Sequence, residues 1–316
     1  MTMPTLAKLI KGLSMLAAVG AVQVCEADCR LPPISQSVVD AHGLGDYVQI
    51  QKSFSGSLQD SKAPAELAYE RPQSGPSFAH IDFGIKTVAY QFLDCGRLRA
   101  RVAPVGEYHR SSEQYNEVRK LSAGGIAQMD FALDQRAHNL LFLDLQYKYT
   151  RDQLQQQSTR TETATFAPYS IHPFAPGYQF RSGDKRVFRY MPSIGYERDQ
   201  NVAIKYKSGS GTVLVAPPVN ASFYTAALNA KLFLLPQSLN ERLAITASQT
   251  WRRLIGTSDT LPRTGHLVET SLDYYFDDQQ RFAVGFSYQN GRDPKRNFLD
   301  EQISSIGFKV QLGKSP

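Results

Sequence analysis

Two short runs place cations two residues apart. Arg97-Leu98-Arg99-Ala100-Arg101 and Lys205-Tyr206-Lys207 would put successive positive charges on one side of an extended chain, because strand side chains alternate between faces. Charges so close repel unless acids or bound anions lie between them. Arg189, Lys231 and Arg252 occupy the polar faces of other alternating segments. The chemistry open to this set is electrostatic, a lining that attracts anions. The alternative is that the same residues pair with acids such as Asp130, Asp144, Glu269 and Asp273. His109 and Ser111 are also two apart, so on a strand they would project to one side as base and nucleophile, with Asn116 or Glu117 to orient the ring. A His beside serines in a polar segment is more often only solvated. The six histidines are scattered, no His-Glu-x-x-His occurs, and Gly43 and Gly45 precede a strand rather than a helix. No metal site, phosphate loop or cofactor is implied.

The elements that must position these residues are strands. A period of two dominates after residue 46. In Asn139–Thr150, Leu141, Leu143, Leu145, Tyr147 and Tyr149 share one face, and Phe142, Asp144, Gln146, Lys148 and Thr150 lie on the other, largely polar one. Twelve such segments are expected: 46–56, 78–91, 96–108, 124–133, 139–150, 186–196, 201–208, 222–235, 242–252, 266–276, 281–290 and 302–312. Most match the 9–11 residues a tilted strand needs to cross hydrocarbon. The expected connections alternate, short near Phe92–Cys95, Asp134–His138, Glu197–Gln200, Pro236–Glu241 and Asp277–Gln280, and long elsewhere. The longest expected loop is 151–185. Tyr and Phe are abundant (16 and 17) while Cys and Met are scarce (3 and 5), which suits strands. Aromatics fall near strand ends on the apolar face. Tyr108, Tyr149, Tyr190, Tyr224, Trp251 and Tyr288 are expected at one end, and Phe131, Tyr196, Phe276 and Phe282 at the other, as two interfacial girdles.

The start of the chain reads as an export signal. Lys8 and Lys11 precede a mostly apolar run from Gly12 to Val24, which is too short to span a bilayer, and cleavage is expected after Ala27. The expected organisation is a signal peptide over 1–27, a periplasmic segment over 28–45 and a barrel over 46–316. The net charge of +6 is spread among apolar residues without a long basic run, so nucleic acid is not an expected partner. Cys29 and Cys95 remain after cleavage. In an oxidising compartment they could form a disulfide tying the N-terminal segment to one rim, or stay as two thiols.

Ser305, Gly307, Val310 and Leu312 follow the polar, Gly, apolar, apolar spacing of a C-terminal barrel-targeting strand. In this the chain resembles the bacterial outer-membrane β-barrel proteins, and it departs from their commonest form in ending on Leu312 rather than an aromatic. The resemblance and the pattern together imply an all-β fold, a transmembrane antiparallel β-barrel of about twelve strands with periplasmic termini, in the bacterial outer membrane. Its implied partners are the lipid bilayer and the barrel-insertion machinery. On the inward faces Lys and Arg outnumber Asp82, Glu107, Asp130, Asp144, Glu197, Glu269 and Asp273. The leading expectation is a porin-like passive channel for small anionic solutes or acidic oligosaccharides, performing no catalysis. A non-conducting, partner-binding barrel is the alternative. A lipid hydrolase using His109 and Ser111 comes third, although the His-x-Ser-Asn-Gly context of outer-membrane phospholipases is absent.

Overall fold

A computed structural model describes residues 48–52, 64–73, 76–87, 89–112, 117–134, 136–154, 156–207, 213–255, 263–293 and 299–312. Among these residues all regular structure is strand: β1 (Val48–Gln51), β2 (Ala65–Pro72), β3 (Phe78–Thr87), β4 (Tyr90–Asp94), β5 (Leu98–Ser111), β6 (Val118–Ala132), β7 (Asn139–Asp152), β8 (Gln157–Ser170), β9 (Phe180–Ser182), β10 (Lys185–Lys207), β11 (Val213–Phe233), β12 (Leu243–Leu254), β13 (Thr264–Tyr275), β14 (Phe282–Asp293) and β15 (Leu299–Val310). β1 and β2 pair with successive stretches of β3, and β3 and β4 with successive stretches of β5, so each couple makes a single stave. β9 pairs only with β10. The remaining strands follow one another antiparallel, and β15 pairs with β2 to close a 12-strand barrel. The expected export signal, the 28–45 segment and Cys29 lie outside the described residues.

Alternation sets the two faces. On the outside stand Leu67, Phe83, Ile85, Val102, Leu121, Ile194, Leu228, Ile245, Leu272, Phe286, Ile306 and Phe308, all exposed. On the inside Glu66, His80, Asp82, Glu107, His109, Asp144, Asp273 and Lys309 are buried. An apolar outer face of this extent has no stable place in water. A closed barrel satisfies every backbone group between strands, so it can stand in hydrocarbon. Among the described residues no helix is long and apolar enough to cross a membrane; this chain crosses with its strands.

The expected strand count of twelve is right, but two assignments inside it were wrong and offset each other. Residues 186–196 and 201–208 are one strand, the 23-residue β10. The turn expected at Glu197–Gln200 is a bulge within it, marked by register shifts between Asp199 and Ile204 and by Asn201 at φ 63. An Asp-Gln-Asn run supplies a left-handed residue equally well to a turn or to a bulge. Conversely, the expected 151–185 loop contains β8, paired with β7 along its whole length from Asn139–Ser170 to Asp152–Gln157. It was hidden because Thr159, Thr161, Thr163 and Thr165 face inward while Arg160 and Glu162 face outward, so neither face of its first half is apolar. Threonine nevertheless favours strands. The β7–β8 connection is therefore short, running from Asp152 to Gln157 with Leu154 N–H donating to Asp152 Oδ1 at 3.0 Å, and the expected alternation of short and long connections does not hold. Ala65–Pro72, expected in a loop, is the closing stave.

One rim carries the turns around residues 95–97, 133–138, 234–242 and 276–281 together with Leu312, which exchanges backbone hydrogen bonds with Ile50 at 2.9 and 3.2 Å. We call this the terminal rim and the opposite one the far rim. Tyr190 lies toward the terminal rim and Tyr196 toward mid-strand in β10, because β10 runs the other way from the expected 186–196 strand.

Candidate functional site

The lumen has two unlike walls. On β13, β15, β2, β3, β5 and β7 the inward positions include many charged side chains, several of them buried and paired with one another. Lys309 Nζ donates to Asp273 Oδ1 at 2.6 Å, with the two residues 4% and 2% exposed. The pair reaches across β14 at Gly285, where a Cβ would stand 2.1 Å from Asp273 Oδ1 and 3.0 Å from the Lys309 side chain. Lys148 Nζ donates to Glu107 Oε2 at 3.0 Å. Lys52 Nζ meets Glu66 at 3.1 Å, with Asp82 and Glu269 both at 3.8 Å. His80 Nδ1 lies 2.6 Å from Glu70.

Facing this wall, β8, β10, β11 and β12 present Thr161, Thr163, Thr165, Thr225, Asn229, Thr246, Ser248 and Thr250, side chains that are half-buried rather than buried. Gly195 belongs to this wall as well; a Cβ there would stand 2.6 Å from Ala164 O and 2.9 Å from Thr225 Oγ1. Its charges are fewer. Thr161 donates to Asp199 at 2.6 Å, and Arg252 Nε lies 3.4 Å from Glu197. Nearer the terminal rim, Arg189 and Lys231 are direct cross-strand partners, and Lys231 Nζ donates to Tyr275 Oη at 3.1 Å. Across the barrel, β10 and β15 approach with Cα atoms within 8 Å although they are not sheet neighbours, so the opening between them is narrow.

The cations singled out from sequence are dispersed. Arg97 is exposed in the turn before β5 and Arg99 is exposed at the terminal rim, while Arg101 faces inward and donates to Asp130 Oδ2 at 2.6 Å. They do not form one continuous row. Arg189 and Lys231 are paired across β10 and β11 toward the terminal rim, whereas Arg252 stands opposite Thr225, six residues along β11 from Lys231 and nearer the far rim. Lys205 and Lys207 lie in β10 opposite Val215 and Val213, and their side chains lie outside the described residues. The inward excess of base is offset by acids that sequence reasoning missed. Glu66 and Glu70 come from β2, and Asp152 and Asp199 also face inward and are buried. The signal for β2 was present in the alternation Glu66-Leu67-Ala68-Tyr69-Glu70, but its only large apolar side chains are Leu67 and Tyr69.

His109 and Ser111 both point into the lumen, away from lipid. The His109 ring nitrogens lie 2.8 Å from Asp82 and 3.4 Å from Glu107, so both are engaged by carboxylates. Among the described residues no group of His, Cys, Asp and Glu is arranged to hold a metal. Cys95 is disulfide-bonded.

The charges outside the spanning segments fix turns. Asp134 accepts from the backbone N–H groups of His138, Arg136 and Asn139 and from the Asn139 amide at 2.7–3.0 Å. The His138 bond first, then the others, holds its carboxyl below the usual range. Asp277 does the same for Arg281 and Phe282.

No protein-family model matches the chain, and no curated protein sequence matches it. Among solved structures, the NanC porin is similar at 10% identity, with a TM-score of 0.42, covering 78% of this chain and all (100%) of that one. The translocator domain of the autotransporter NalP from Neisseria meningitidis is similar at 11% identity and TM-score 0.38, covering 96% of this chain and 98% of its own. The COG4313 outer membrane channel from Pseudomonas putida F1 is similar at 12% identity and TM-score 0.39, covering 87% and 98%.

Proposed function

We propose that this chain is a narrow, porin-like passive channel of the bacterial outer membrane, and that hydrophilic solutes move along the wall formed by β8, β10, β11 and β12. The observation that carries the reading is the contrast between walls. One is filled by buried ion pairs, and the other offers half-buried hydroxyl and amide groups that can replace solute hydration one group at a time. Small anionic solutes or acidic oligosaccharides are the favoured cargo, because Arg189 and Lys231 face one another in the lumen and Arg252 lies further along the same wall toward the far rim. Cations in a confined low-dielectric space raise the local concentration of anions.

In this reading residues 1–27 are removed on export, residues 28–45 remain in the periplasm, and Cys29 is the partner of Cys95. The terminal rim is periplasmic, and insertion depends on the barrel-assembly machinery reading β15. The protein performs no chemistry on its solute. A closed barrel that binds partners at its rims is the second reading, favoured by the approach of β10 to β15.

Single-channel recording of the refolded protein in a planar bilayer, under a salt gradient, separates the two. The channel reading expects stable openings with a reversal potential on the anion side, shifted toward zero by Arg189→Gln/Lys231→Gln. A correctly inserted barrel that never opens overturns it in favour of the second reading.

A further inference from the structure

We propose that the outer face of β5, β6, β7, β8 and β10 is a docking surface for lipid headgroups bearing phosphomonoesters, held by a level row of arginines near the far rim. The row is Arg110, Arg119, Arg151, Arg160 and Arg198, one on each of five successive staves. All five project outward. The residues flanking them in sequence, among them His109, Ser111, Val118, Asp152 and Asp199, are buried on the lumen side.

The register makes the row level. Direct strand partners climb toward the far rim around the barrel: starting from Lys86, deep in β3, they arrive at Ala221 beyond the far-rim end of the β11–β12 pairing. Arg110 and Arg119 are direct partners. After them, each arginine is set back two residues from the direct partner of the last. Arg119 is bonded by Gln153 while the arginine of β7 is Arg151, and Arg160 is paired with Gln200 while the arginine of β10 is Arg198. The setback offsets the climb. The same level continues onto Tyr224 and Trp251, 62% and 42% exposed, and such aromatics sit at the membrane–water interface. On the hydrocarbon side of the arginines lie Tyr108, Leu121, Tyr149 and Tyr196. The row therefore stands at headgroup depth.

Its charge is unmet by the protein. Among the described residues Arg110, Arg119, Arg151 and Arg160 make no ion pair, and Arg198 has only Glu162 at 3.9 Å. Among the described residues near the row, Glu117 is the other exposed acid. Like charges placed directly opposite on adjacent strands destabilise a sheet, so the Arg110–Arg119 pair favours an anion between the two side chains. The guanidinium fork matches phosphate oxygens in pairs, and a phosphomonoester offers more charge and more free oxygens than a phosphodiester. Every cation of the row is arginine.

The inference rests on the barrel standing in a membrane and not on its conducting. The test is native mass spectrometry of the whole protein released from vesicles containing equal amounts of phosphatidic acid, phosphatidylglycerol and phosphatidylcholine. Phosphatidic acid is expected to be retained about tenfold over phosphatidylcholine, and above phosphatidylglycerol. Arg119→Gln/Arg151→Gln/Arg160→Gln abolishes that excess, whereas Arg71→Gln/Arg136→Gln, outside the row, leaves it intact. Both variants are first shown to be folded by the heat-dependent gel migration of a closed barrel. Equal retention of the two anionic lipids, or an excess that survives the triple substitution, overturns the proposal. Conductance of the same variants in phosphatidylcholine bilayers reports separately on the channel.

Discussion

The two lumen walls are built from the same backbone pattern and differ in what their inward positions hold. On the paired wall, Lys309 and Asp273 are almost completely buried and each depends on the other; the pair persists because Gly285 leaves the space for it. On the hydroxyl wall, Thr163, Thr225 and Ser248 are uncharged and keep part of their surface free, Ser248 reaching Glu269 at 3.4 Å. The difference teaches where stability and where permeation reside. Buried charges rigidify one side at a high penalty for error, and the other side tolerates change because each of its groups contributes little.

The largest expected effect comes from removing one member of the buried pair. Lys309→Met leaves Asp273 without its counter-ion and is expected to lower stability by about 3 kcal/mol, read as a drop in the urea midpoint of barrel unfolding. Asp273→Asn/Lys309→Met should recover most of it; no recovery would mean that the pair is not what holds this wall. Gly285→Ala comes next. Its Cβ collides with the pair rather than removing it, for an expected loss of about 1–3 kcal/mol in the same assay.

Smaller still, Thr163→Val and Thr225→Val should leave the midpoint within about 0.5 kcal/mol while slowing sugar flux into loaded liposomes. A flux unchanged by both would remove the hydroxyl wall from the path. The smallest effect is at the terminal rim. The Asp134 carboxyl has a depressed pKa when folded, so its contribution is fully present above the ordinary carboxyl range and is lost as pH falls through the folded value. Asp134→Asn should lower the neutral plateau slightly and flatten the acid limb of the stability profile, the two profiles converging at low pH.

How much of this was legible depends on what faced outward. Where one face was apolar, as in Asn139–Thr150, the strand and its inward residues could be read directly, while its far-rim end runs on to Asp152. β8 and β2 were missed for a common reason: their outward positions carry Arg160, Glu162 and Arg71 beside few apolar residues, so hydrophobic alternation fades although the backbone is as regular as elsewhere. β10 was divided because Asn201 adopts the left-handed conformation that a turn would use. The walls were less legible than the strands. Parity identified the inward residues, but which cation meets which acid depends on register across staves far apart in sequence, as in the pairing of Lys148 with Glu107.

The divided first stave bears on how the barrel assembles. Its closing seam joins Ala65–Pro72 to Ile303–Val310, two segments from opposite ends of the described chain, whereas every other stave from β5 onward meets its neighbour after a modest connection. Hairpins such as β7–β8 can zip locally, each new strand paying only a short loop closure, but the seam must wait for nearly the whole chain and pays the largest closure entropy. It is also short, because β1 and β2 share the work of one strand. The barrel is therefore expected to form its wall as an open curved sheet and to shut last between β15 and β2, which makes that seam the slow step of folding and the first line along which the barrel opens.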